Sequence, residues 1–473
     1  MLAQRVFRNV IYNSSSTLVA SLTGLIVVIF LARALKPELF GIYSLSLSLI
    51  YLFSILADLG VNAAATRYIA DAVSKENENL AGSYSKFLLK TKILLSASVA
   101  LLAFSVSGAI SDFFEKPLAT PLQLLSLFLF FSSISSLLNS MANALNDFRI
   151  NLLNSMVSGL SKLLLTFLLV SVGLSLYGAI LALVISSLIS LLFSFSYVRK
   201  FDFLFHGEES FRKSRVFKFI VFTAILSLTW LIFANVDVVM IGYFLPSEEV
   251  AYYRAAFSIV SAVIGLVSFP AVFLPVFVKL EGEDLNLAFH RAFKYSSALC
   301  IPSAFGLAMI SKELLLFAYG SDYAGGLNAM RILSFLLLSP IFGIYGSIFS
   351  SKEKPELNFY PLAVSMVINV FLNWILIPVY GIEGAAVATV FSNGIYWSML
   401  VVICARVLHI FPKLEHIAKP TISAILMAII GSNLHPLLVI PVCVFVYSVI
   451  MLLIKGITAE DISFIRKVAK IKA

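Results

Sequence analysis

Charge is scarce in this chain. Only 12% of its 473 residues are Asp, Glu, Lys or Arg, against 60% hydrophobic residues and a mean hydropathy of +0.98. Soluble globular domains carry about 25% charged residues, so a water-exposed fold is excluded and the solvent is lipid. Cysteine is nearly absent too: Cys300, Cys404 and Cys443 sit apart in apolar segments with no CxxC pair, which excludes a disulfide framework and a thiolate metal site. There is no GxxxxGK[ST] loop, no HExxH, no Gly-rich dinucleotide turn and no GxSxG elbow. The five histidines, at 206, 290, 409, 416 and 435, fall in loops or at the ends of apolar runs. The chain offers no enzyme site, and no cofactor or metal is expected. Energy for any work must come from a proton or sodium gradient, the membrane potential, a partner or a substrate gradient.

What is present is hydrocarbon-compatible sequence. Crossing a bilayer takes about 20 apolar residues, and fourteen such spans are expected, near 11–33, 42–66, 87–110, 119–143, 152–172, 176–198, 217–244, 253–278, 295–316, 328–350, 359–379, 383–405, 417–434 and 436–454. Each must be helical, because an open strand in lipid leaves backbone groups unpaired. The first follows Arg5 and Arg8, is long and lacks a clear small-residue cleavage site, so it reads as a retained helix. With both termini in the cytoplasm, 27 of the 34 basic residues fall on that side, six outside, and Lys162 alone deep in a span. That asymmetry places a multi-pass protein in the cell membrane. The net charge of +9 then faces anionic lipid and calls for no nucleic acid.

The chain repeats itself. GAILALVIS, Gly178 to Ser186, returns as GAAVATVFS, Gly384 to Ser392, an offset of 206; ALKPELFGIYSLSLS from Ala34 echoes FLPSEEVAYYRAAFS from Phe244 at an offset of 210. Six spans separate each pair, so both copies enter the membrane from the same side and the repeats are parallel. The expected organisation is a six-helix half at 1–198, a cytoplasmic linker at 199–216, a second half at 217–406, and two extra helices with a tail at 407–473. The GAxxAxVxS helices end the halves with small residues that suit close packing. They are expected to be structural and away from substrate.

Ionisable residues inside spans cost roughly 2.5–3.5 kcal/mol on insertion scales and so need a reason. Lys162 stands in a row with Asn151, Ser155, Ser158 and Thr166, spaced three and four apart, which gives the fifth span a polar face fit to line a wet cavity. Helix-packing hydrogen bonds and a snorkelling lysine are the plain alternative. In the seventh span Thr223, Ser227, Trp230 and Asp237 share a face beside Asn235. Asp237 is a candidate proton or sodium site, a counter-charge for Lys162, or a carboxylate near the interface. Asp58, in ILADLG, is a cavity carboxylate or a cap for a helix broken at Gly60. Asn369 and Asn373 form a polar row with Ser365 in the eleventh span, as cavity lining or as interhelical hydrogen bonds. Arg33, Arg67, Arg254 and Arg331 lie at span ends, as interface anchors or as guanidinium forks along the path of an anionic substrate. Under the two offsets Lys162 matches Ile368 and Asp237 matches Val27. The halves share a scaffold and differ in charge.

The run FLARALKPELFGIYSLSLSLIYLFSILADLG, from Phe30 to Gly60, with the arginine of ATRYIA after it, resembles the start of the Wzx-type polysaccharide-transporter flippases. NVDVVMIGYFLPSEEVAYYRAAFS, Asn235 to Ser258, resembles the opening of their second halves. These belong to the multidrug/oligosaccharidyl-lipid/polysaccharide superfamily. The resemblance implies an all-α fold of two six-helix halves arranged as a MATE-like V, with two added C-terminal helices. It implies alternating access, with a polyprenyl-(pyro)phosphate-linked oligosaccharide entering a cationic central cavity from the cytoplasm for release outside. Arg33, Arg67, Lys162 and Arg254 would touch phosphates or sugars. The partners implied are that substrate, membrane lipids and polysaccharide-assembly proteins, with the chain itself a monomer. The alternative in the same superfamily is a cation-coupled multidrug exporter. A membrane glycosyltransferase or polymerase would need a larger outer loop.

Overall fold

The computed structural model describes residues 2–268, 277, 280–352, 354, 356–432, 436–458 and 461, and among them all regular structure is helical. The helices are α1 Leu2–Asp58, α2 Val61–Ser74, α3 Glu78–Phe114, α4 Ala119–Ala144, α5 Arg149–Leu169, α6 Ser175–Val198, α7 Lys213–Phe244 and α8 Ser247–Val267. They continue with α9 Gly282–Met309, α10 Ser311–Tyr319, α11 Leu327–Leu333, α12 Ser339–Ser351, α13 Glu356–Leu408, α14 Glu415–Gly431 and α15 Pro436–Leu453. The end of the expected 253–278 span, His435 and most of the basic C-terminal tail lie outside the described residues. So do the side chains of Arg5, Arg8, Ser227 and Trp230.

Seven helical stretches are long and apolar enough to cross a membrane, eight if the pair α9 and α10, bent by 69°, is one span. The chain is a multi-pass membrane protein. Three stretches, of 60, 50 and 53 residues, would each run about 75–90 Å if straight, far beyond a hydrocarbon core of about 30 Å. Each is broken where the sequence permits it. Lys36 takes φ 62° just before Pro37, whose missing N–H costs nothing in the first turn of a new helix. Gly173, at φ 98°, and Gly381, at φ 61°, turn the other two in conformations that glycine adopts freely. Several spans that hydropathy separates are thus joined through kinks instead of loops.

The repeated motif has a local cause. A Cβ on Gly178 would stand 2.9 Å from the Leu169 carbonyl oxygen, and one on Gly384 2.3 Å from that of Leu376. Each glycine lets the helix after a kink press on the backbone before it. The duplication therefore preserves two equivalent hairpins.

The chain forms two compact units: residues 1–258 with 319–326 and 366–385, and residues 259–318 with 327–365 and 386–473. In the first, Val61, Ala64, Tyr68, Leu137, Met141 and Ile220 belong to a buried core. The stretch after α6 folds back on α3: Glu208 N–H donates to Asn79 Oδ1 at 3.0 Å, and Lys86 Nζ to the Gly207 carbonyl at 3.2 Å. In the second, Phe289, Phe293, Tyr345 and Ile348 form the core with the three buried, unbridged cysteines.

Candidate functional site: a lysine cavity and a buried carboxylate

Helices α4, α5 and α6 line a cavity of about 290 Å3 in the first unit. Ser132, Ser135, Ser136 and Asn139 come from α4, Asn154, Ser158 and Lys162 from α5, and Leu183, Ser186, Ser187 and Ser190 from α6, with Tyr51 and Phe128 completing the wall. The hydroxyls are wired together. Ser135 and Ser190 lie 3.0 Å apart, Ser135 and Ser194 3.0 Å, Ser190 donates to Asn154 Oδ1 at 2.8 Å, and Ser194 to Asn139 Oδ1 at 3.0 Å. Seven serines with two asparagines make a polar hollow inside apolar helices. Serine suits this place because it is small enough for close helix packing and still carries a donor and acceptor.

Lys162 is half-buried and makes no hydrogen bond or ion pair with any described residue. An ammonium at this depth needs a counter-ion, water or ligand oxygens. The cavity supplies neutral dipoles and leaves the anion to come from elsewhere. Chemically it can hold a phosphate oxygen at the lysine and sugar hydroxyls at the serines and amides.

The expected polar row on α5 divides. Ser158 and Lys162 line the cavity, whereas Asn151 donates to Asn13 Oδ1 at 2.7 Å and Ser155 lies 2.7 Å from Ser16 Oγ. Asn151 and Ser155 bind α5 to α1. Asn154, absent from that row, is buried in the cavity wall. The repeated GAxxAxVxS segment on α6, expected away from any ligand site, contributes Leu183 and Ser186 to the wall, because one helix face carries Ser186, Ser190 and Ser194 four residues apart.

A second constellation surrounds Asp237. Its carboxylate is buried, accepting from Asn373 Nδ2 at 2.7 Å and from the Tyr253 hydroxyl at 3.0 Å. Asn373 also donates to Asn369 Oδ1 at 3.1 Å, and its own amide oxygen is buried with no partner among the described residues. Asn235, two residues before Asp237, is buried as well. The expected polar rows of the seventh and eleventh spans thus meet. A carboxylate beside a spare amide oxygen suits a proton or a small hard cation.

Asp58 lies where α1 ends, at Leu59 with φ 42° and Gly60 with φ 84°, so the helix does break there. Its carboxylate takes an ion pair from Lys92 of α3, a lysine only 1% exposed. Lys92 is one of the 27 basic residues that the charge count puts on the cytoplasmic side, yet it stands inside the expected 87–110 span, and the structure seals it there. Arg67 is exposed and lies 4.7 Å over the Phe219 ring. Arg254 is half-buried within coulombic reach of Tyr43, Tyr51 and Tyr319, and Arg33 is exposed. None of these arginines lines the lysine cavity.

Comparison with known proteins gives a consistent picture. A family model described as polysaccharide biosynthesis protein matches residues 6–281. The probable low-salt glycan biosynthesis flippase Agl15 of Haloferax volcanii is 24% identical over 410 residues, covering 84% of this chain and 83% of that protein. Among solved structures, the lipid II flippase MurJ in an inward closed conformation matches with a TM-score of 0.76 at 18% identity, over 92% of this chain and 96% of that one. An inward-facing MATE multidrug resistance transporter of the MOP superfamily matches at 0.65 and 17% identity, over 82% and 94%. At these identities the structural matches establish a shared fold.

Proposed function

The chain belongs to the polysaccharide biosynthesis protein family, and from that premise we propose that it flips a polyprenyl-(pyro)phosphate-linked oligosaccharide from the cytoplasmic to the outer leaflet for cell-surface polysaccharide or glycan synthesis. The observation that carries the reading is the cavity itself: an ammonium without a counter-charge among the described residues, in a wall of hydroxyls and amides. Phosphate supplies the missing charge, and sugar hydroxyls exchange hydrogen bonds with serine and asparagine at little net cost. The work is transport, as the name of the flippase relative also has it.

The reading brings its topology with it. Halves at 1–198 and 217–406, joined by the 199–216 linker and followed by two helices and a tail at 407–473, would alternate access with both termini in the cytoplasm. Asp237, with Asn373 and Asn369, is the assigned coupling site for a proton or sodium ion. A drug exporter of the MATE type fits less well, since an organic cation calls for acidic and aromatic walls and this cavity presents a lysine.

The test is direct. Purified protein in liposomes receives a fluorescent polyprenyl-pyrophosphate oligosaccharide, and an added quencher reads its leaflet. Flipping faster than in protein-free liposomes is expected. Efflux of an organic cation dye, with no movement of the lipid-linked sugar, would overturn the assignment in favour of the exporter.

A further inference from the structure

The second unit holds a hollow of about 250 Å3 at the start of α14 and the end of α15, reached by Lys294 of α9. Lys294, Lys419 and Lys455 line it, together with Glu415, His416 and Thr458. Two of the lysines are held in place. Lys294 donates to Asp461, whose carboxylate also accepts from the Tyr295 hydroxyl at 2.9 Å and from the Thr458 N–H and hydroxyl at 2.8 Å each. Lys419 donates to Glu415 at 3.2 Å and to the Lys455 carbonyl at 3.3 Å. Lys455 is exposed, and its ammonium bonds to no described residue. Among the described residues, three lysines against two carboxylates leave the hollow net positive even with His416 neutral.

Its setting narrows the ligand. Lys455 takes φ 54° as α15 ends, and Gly456 N–H closes the turn on the Met451 carbonyl at 2.7 Å. Just before it, Leu453 is 75% exposed, and Ile422, beside Lys419 on α14, is 52% exposed. Such side chains face hydrocarbon, so the lysines stand at the level where apolar surface gives way to charge. Basic pockets between transmembrane helices at that level take anionic head groups.

We infer that this hollow binds a phosphate-bearing anion, with Lys455 and Lys419 as its contacts and with Asp461 and Glu415 steadying the lysines around it. A phospholipid head group and a soluble phosphate compound present the same chemistry. The site is separate from the lysine cavity and does not depend on what the chain transports.

Native mass spectrometry of the full chain, titrated with phosphatidylglycerol, phosphatidylcholine and inorganic phosphate in separate series, tests it. Phosphatidylglycerol is expected to bind more tightly than phosphatidylcholine, with affinity falling about five-fold in Lys455→Gln and about 25-fold in the Lys419→Gln, Lys455→Gln double variant. Inorganic phosphate binding with the same losses, and no preference between the lipids, would keep the chemistry and name a soluble source. Because Lys455 is exposed, its single variant folds as the parent does. Equal lipid affinities with no phosphate binding would overturn the proposal, as would a Lys455→Gln variant unchanged towards all three ligands.

Discussion

Two lysines lie inside the apolar helices of the first unit and solve the problem of charge in opposite ways. Lys92 is sealed from solvent and paired with the half-buried Asp58, at the break between α1 and α2. Lys162 has no ionic partner among the described residues and opens on a serine-lined hollow. Burial alone therefore does not mark function. A compensated charge fastens helices, while an uncompensated one in a cavity is available to a ligand.

The largest expected effect comes from breaking the compensated pair. Lys92→Met leaves the half-buried Asp58 carboxylate unpaired, and because removing one partner of a fully buried ion pair costs about 3–5 kcal/mol, the part-exposed Asp58 puts the expected loss at the lower end, about 3 kcal/mol. Thermal unfolding in detergent should show it, and the double variant Asp58→Leu, Lys92→Met should recover most of the loss. If Lys92→Met were as stable as the parent, the distinction between the two lysines would collapse.

Lys162→Met should do the reverse. With no pair to break, folding stability is expected to hold or rise, while the flipping rate falls about 10–100-fold through loss of a charged hydrogen bond to substrate. Lys162→Arg, which keeps the charge, should retain part of the rate. Full transport by Lys162→Met in the leaflet assay would reassign this lysine to scaffolding.

Asp237 extends the comparison to the opposite sign: its carboxylate accepts from the Tyr253 hydroxyl and the Asn373 amide, where that of Asp58 accepts from a lysine. Asp237→Asn keeps the size and changes stability by about 1 kcal/mol. Its expected effect is on coupling: acceleration of flipping by an imposed proton or sodium gradient should disappear. An undiminished gradient response would make Asp237 structural.

How far the sequence disclosed this follows from how each signal is encoded. The apolar runs were legible, and Pro37, Gly173 and Gly381 fall in the gaps between expected spans at 33–42, 172–176 and 379–383. The cavity was half legible: Lys162 and Ser158 follow from spacing on one helix, but Asn154 and the α6 serines join them only through packing of three helices. The serines at 186, 190 and 194 did carry a four-residue period. The Asp58–Lys92 pair was not legible, because nothing in linear order joins residues 34 apart on different helices. Asn373 meets Asp237 across 136 residues, so each polar row was visible and their meeting was not.

The smallest expected effect belongs to a third basic residue, which escapes the problem by giving up its proton. His416 lies outside the membrane spans. Burial depresses its basicity first, Glu415 opposes this, and His290, Lys294 and Lys413 depress it further. Its folded value therefore lies below the ordinary one of about 6.5. As pH falls, the unfolded chain takes up the proton before the folded chain does, so stability declines from just above the ordinary value down through the folded one. Partial exposure keeps the contribution of His416 small. His416→Gln should make the fall in Tm between about pH 7.5 and about pH 5.5 shallower by about a degree, leaving the neutral-pH value nearly unchanged. An identical slope in the variant would mean that His416 protonates in the folded state as readily as in the unfolded one. The surrounding lysines would then be too well screened to act on it, and the same screening would weaken the case that they hold an anion.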